Sequence, residues 1–124
     1  MKLLQRLAAA LGIASSVAYA DGGKAPEHAL IVHFRYGSKD LGPLFELEEA
    51  LDDALAGGGA GEYDGNEMAV DGPDGVLFMY GPDADRLFDV VAPILRREAF
   101  MRGARIRKRY GPPEDGVKEI EFPL

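Results

Sequence analysis

The stretch Gly72-Pro73-Asp74-Gly75-Val76-Leu77-Phe78-Met79-Tyr80-Gly81-Pro82-Asp83 decides how this chain folds. It reads as turn, strand and helix start in succession. Pro73 presets φ, Asp74 bonds its own backbone, and Gly75 reaches backbone conformations closed to other residues. Val76 to Tyr80 reads as the strand that returns from the turn. Asp83 offers a carboxylate to cap the helix that follows. Before the turn, Glu67 to Asp71 reads as the strand that pairs back, with Met68 and Val70 on one side.

Working outward, Leu87, Phe88, Val91 and Leu95 form the apolar stripe of that helix. Pro93 should kink it, because it lacks a backbone donor and crowds the preceding turn. Arg96 and Arg97 suit its C-terminal pole. Upstream, Phe34-Arg35-Tyr36-Gly37 parallels Phe78-Met79-Tyr80-Gly81. The strand it closes, His28 to Tyr36, alternates: Leu30, Val32, Phe34 and Tyr36 on one face, Ile31, His33 and Arg35 on the other. Leu44, Leu47, Leu51 and Leu55 then recur at helical spacing, with Pro43 in the first turn and Gly57-Gly58-Gly59 as the stop. Asp52 and Asp53 sit near the unfavourable pole of that helix, so this end is expected to fray. Downstream, Ala104 to Tyr110 and Val117 to Phe122 read as a hairpin joined by residues 111–116. One register pairs Ile106 with Ile120 and Ala104 with Phe122, and sets Arg107 opposite Glu119 and Arg105 opposite Glu121. Such cross-strand pairs contribute roughly 0.2–1 kcal/mol each.

The order strand-helix-strand-strand-helix-strand, plus one strand, predicts an α+β fold: a ferredoxin-like split βαβ sandwich. Right-handed crossovers give a five-stranded antiparallel sheet, order 5-4-1-3-2, with two helices on one face. Gly61-Glu62-Tyr63-Asp64-Gly65-Asn66-Glu67, followed by Tyr80-Gly81-Pro82-Asp83-Ala84-Asp85, resembles small bacterial ferredoxin-like proteins of unassigned function. The resemblance implies the fold over residues 28–124 and brings no catalytic residues with it.

The chain has 124 residues, enough for one domain. Its 47% hydrophobic content suits a packed core. The absence of Cys excludes disulfides, Cys-based metal sites and a thiol nucleophile. At the N-terminus, Lys2 and Arg6 precede the apolar stretch Leu7 to Ala14, and Ala18-Tyr19-Ala20 offers an A-x-A exit. That is a secretory signal peptide over residues 1–20, leading to a periplasmic or secreted product. Residues 21–27 follow as a flexible polar lead. The net charge of −7 falls to −9 without the two cations of the first twenty residues. Such a domain repels phosphate backbones and anionic lipid, so neither nucleic acid nor membrane is an expected partner.

Three site readings follow. With Leu77 and Met79 turned out beside Ile31, the helix-free face of the sheet has an apolar centre. His33, Arg35 and Arg107 surround it, and Arg105 and Arg109 extend the basic stripe. An uncovered apolar patch marks an interface, here with a second copy of the chain or another extracytoplasmic protein. Outward aromatics for stacking nucleic-acid bases are missing in this reading. Second, Glu62, Asp64, Asn66 and Glu67 would meet Asp83 and Asp85 at one sheet end and could hold a divalent cation through oxygen ligands. Third, the same carboxylates would serve a small hydrolase if one were buried beside apolar walls. Ser38 fits a turn or cap better than a nucleophile. His28 and His33, five residues apart, face opposite ways and do not make a ligand pair. No P-loop or dinucleotide fingerprint is present, and no cofactor is expected.

Overall fold

The computed structural model describes residues 27–70 and 72–124. The expected signal peptide and residues 21–26 of the expected lead lie outside the described residues. In chain order the elements are β1 (His28–Arg35), α1 (Gly42–Gly58), β2 (Glu62–Met68), β3 (Asp74–Gly81), α2 (Ala84–Arg96), a 3₁₀ turn (Ala99–Met101), β4 (Arg105–Arg109) and β5 (Glu119–Pro123). The strands form one antiparallel sheet in the order β2-β3-β1-β4-β5. This is the expected order read from its other edge, and the fold is ferredoxin-like.

Both helices lie on one face because each carries a single apolar stripe. Leu44, Leu47, Leu51 and Leu55 of α1 are buried, as are Leu87, Val91 and Leu95 of α2. They meet Leu30, Val32 and Phe34 of β1, Leu77 and Met79 of β3, and Ile106 of β4. Each fully buried leucine contributes roughly 1.5–3 kcal/mol. Gly59, at φ 64°, ends α1 in the left-handed conformation, and its N–H bonds back to Ala56 O at 3.2 Å. The Asp83 carboxylate caps α2 by accepting from the N–H groups of Asp85 and Arg86, at 3.0 and 3.3 Å. The His28 imidazole adds a second cap, its Nδ1 accepting from Ala84 N–H at 3.0 Å. The helix continues through the exposed Pro93.

Three expectations need correcting. Leu77 and Met79 do not face outward. Leu77 pairs with Val32 and Met79 with Leu30, so all four point at the helices, and Leu77 and Met79 are fully buried. The outward residues of β3 are Val76, Phe78 and Tyr80. Gly75 explains the choice: a Cβ there would come within 2.7 Å of both Met68 Sδ and the Phe34 ring. The core side of the strand therefore has to begin at a residue without a side chain. The second correction concerns β2, which starts at Glu62 and not Glu67. A bulge between Tyr63 and Gly65 breaks its alternation, which hides the strand from a period-two reading. The third concerns the last hairpin, displaced by two residues. Ile106 pairs with Phe122, Lys108 with Ile120, Arg107 with Glu121 and Arg109 with Glu119. A shift of two keeps every side chain on its expected face. Arg105 still reaches Glu121, diagonally, at 3.4 Å.

Candidate protein-interaction face

No described helix lies over the second face of the sheet. The strand registers arrange its side chains in lateral rows. At the His28 end, Glu62, Tyr80, Ala29, Arg109 and Glu119 share a row. The middle row is Gly65, Phe78, Ile31, Arg107 and Glu121. The next is Glu67, Val76, His33, Arg105 and Pro123. Beyond it, Asp74 stands beside Arg35, with carboxylate and guanidinium 3.6 Å apart.

The columns of this grid differ in chemistry. β3 and β1 supply Val76, Phe78 and Ile31, all partly buried, as the apolar centre. β2 supplies the acids Glu62 and Glu67 on one flank. β4 supplies Arg105 and Arg107 on the other. Glu62 is held above the ordinary carboxylate range by partial desolvation, then by the charges of Asp64, Glu27 and Asp52. Across the sheet, Arg109 is nearly buried and serves the structure. Its Nε donates to Gly111 O at 2.6 Å, its Nη2 to Glu27 O at 3.4 Å, and its guanidinium lies 5.9 Å over the Tyr80 ring. His33 occupies the middle of the face with its Nε2 buried and without a hydrogen-bond partner.

Of the interaction residues read from sequence, Ile31, His33, Arg35 and Arg107 therefore share the face over which no described helix lies, and Leu77 and Met79 belong to the core. Val76, Phe78 and Tyr80 take their place. The signal that would have found them is the pair Gly75 and Gly81, which share one side of β3 with Leu77 and Met79 and leave no room there for a side chain. Outward aromatics are thus present on β3. Acids border this face along β2 and β5, which disfavours a polyanion there.

The acidic residues are used separately. Asp83 caps α2. Asp85 accepts from Lys108 Nζ at 2.8 Å and from Tyr110 Oη at 2.7 Å. These bonds, led by Lys108, lower its pKa. Asn66 turns to the helix side, where its Nδ2 donates to Glu48 Oε2 at 2.6 Å and the Tyr63 hydroxyl donates to the same oxygen. Burial, followed by the Glu48 charge, drives the Tyr63 pKa far up. Among the described residues no group of three or more His, Asp or Glu side chains is placed to hold a metal ion. Glu62, Asp64, Asn66, Glu67, Asp83 and Asp85 are not assembled as a ligand set.

A groove of about 660 Å³ lies at the other sheet end, between the loop after β1 and the β2–β3 turn. Tyr36, Lys39, Leu41, Met68 and Val70 line it. The carboxylates considered for hydrolysis lie elsewhere. Ser38 is a turn residue, as expected: its Oγ accepts from Asp40 N–H at 3.0 Å. Set against protein-family models, curated proteins and solved structures, the chain matches none, and the ferredoxin-like resemblance extends to the fold alone.

Proposed function

We propose that this domain works by binding another protein through the face of its sheet opposite the two helices, without catalysing a reaction, outside the cytoplasm. The observation that carries this reading is the apolar centre Ile31-Phe78-Val76 set between an acidic and a basic flank. Contiguous apolar side chains bordered by charge are what a specific interface requires: desolvation at the middle, orientation at the rim. The scattered use of the carboxylates supports binding over hydrolysis. The extracytoplasmic setting is supported by the sequence of residues 1–20.

Hydroxyl-radical footprinting of Phe78 and Tyr80 tests the reading. Labelling in intact cells is compared with labelling of the purified full chain at high dilution. Protection in cells that disappears on dilution is expected. Equal labelling in both would refute an occupied face. Mass spectrometry of the chain isolated from the envelope fraction tests the location, with Asp21 expected as the first residue.

A further inference from the structure

We infer that the groove between the loop after β1 and the β2–β3 turn is a binding site for a small unbranched aliphatic carboxylate, of which octanoate is the type. The site is separate from the sheet face proposed above and does not depend on it. Its volume of about 660 Å³ falls within the roughly 300–1,000 Å³ of small-molecule pockets. Tyr36, Leu41, Met68 and Val70 give it an apolar lining. Val70 is 87% exposed, so a large apolar side chain stands in water beside the groove. Covering it with hydrocarbon is favourable.

The walls are fixed to each other. Tyr36 N–H donates to Pro73 O at 2.6 Å, which ties the loop to the turn. Ala69 N–H donates to Asp74 O at 2.9 Å and closes that turn. The Tyr36 ring meets Phe100 edge-on, with centroids 4.9 Å apart, and its hydroxyl donates to Asp40 O. The groove is therefore formed before a ligand arrives, which lowers the cost of binding. These bonds also occupy main-chain groups along the walls. A bound peptide would bring amides that need partners of their own. A hydrocarbon tail needs none.

The polar end of the ligand follows from charge. Of the described lining residues, Lys39 alone is charged. It is exposed and makes no ion pair with another described residue. Next to it, Ser38 Oγ accepts from Asp40 N–H at 3.0 Å, which leaves its own O–H to donate. The Asp40 carboxylate accepts from Gly42 N–H at 3.0 Å and does not line the groove. One ammonium and one hydroxyl beside an apolar groove match one carboxylate on a hydrocarbon tail. A phosphate monoester carries about two negative charges at neutral pH, and a chain of net charge −7 disfavours the second.

The ligand is small and the groove is open to water, so a dissociation constant in roughly the sub-millimolar range is expected for octanoate. Hexanoate, shorter by two methylenes, is expected to bind about tenfold more weakly.

Isothermal titration calorimetry of the purified full chain with octanoate tests this, together with the ¹³C methyl resonance of Met68. Saturable binding that shifts the Met68 methyl is expected. Lys39→Gln is expected to weaken octanoate about fivefold and to leave octanol unchanged. Val70→Asp is expected to weaken both ligands. Circular dichroism of each variant confirms that it is folded. Absence of saturable binding would overturn the proposal. So would octanoate binding that both variants leave unchanged, or binding that leaves the Met68 methyl unmoved. Octyl phosphate binding more tightly than octanoate would overturn the choice of a carboxylate.

Discussion

Asn66 and Glu48 join an edge strand to a helix through a hydrogen bond of 2.6 Å, made by an amide that is fully buried. The same carboxylate accepts from Tyr63, so one helix side chain satisfies two polar groups beneath it. Removing it strands both. Glu48→Ala is expected to cost about 1–3 kcal/mol, the usual penalty for an unmet buried donor. Glu48→Gln keeps an acceptor and should lose less. Urea unfolding of the two variants checks the difference.

The two faces of β3 predict opposite phenotypes for neighbouring residues. Leu77→Ala empties a fully buried site and is expected to cost about 2–5 kcal/mol. Phe78→Ala removes a partly exposed ring and should cost clearly less stability. Denaturant midpoints of the two variants read the difference.

Gly81 allows β2 and β3 to meet closely at the start of their ladder. A Cβ at this position would lie 2.3 Å from Ala60 O and 3.2 Å from Gly61 Cα. Backbone cannot yield as a flexible side chain can. Gly81→Ala is expected to destabilise by about 1–3 kcal/mol, measured by thermal unfolding.

Asp85 gives the fold an acid-labile tie. Its pKa is lowered by Lys108 first and Tyr110 second. The stabilisation is therefore complete above the ordinary Asp range and is lost as pH falls through the lowered value. The wild type should melt above Asp85→Asn at neutral pH, and the gap should close in strong acid. Burial and the hydrogen bond to Asp85 push Tyr110 up to about 12. In the variant its phenol should titrate lower, read by ultraviolet absorbance.

Glu62 predicts the reverse sign. Desolvation and neighbouring acids raise its pKa, so its charged form is disfavoured in the folded chain. That penalty applies above the ordinary Glu range and disappears when the group is protonated. Glu62→Gln should raise the melting temperature near neutral pH and have little effect in acid.

Much of this architecture is written locally. The alternation of Leu30, Val32 and Phe34 against Ile31, His33 and Arg35 is clear because only one side is wholly apolar. The leucine spacing of α1 and the Asp83 cap are equally legible. β3 is different. Val76, Leu77, Phe78, Met79 and Tyr80 are apolar on both sides, so hydrophobicity carries no parity there. Parity is set by Gly75 packing under Phe34 and beside Met68, a tertiary constraint. β2 was obscured for a related reason. Its Asn66 looks like a surface residue until Glu48 arrives from another element to bind it. The sheet face opposite the helices was therefore legible in its β1 half and inverted in its β3 half.

The step out of register between Tyr63 and Gly65 has a further consequence. β2 is an outermost strand, and a regular one would be a template for end-on addition of more chains. The bulge interrupts its ladder of donors and acceptors, and on the opposite rim the short β5 ends at Pro123, which has no N–H to offer. Growth sideways into fibrils is thus discouraged at both rims.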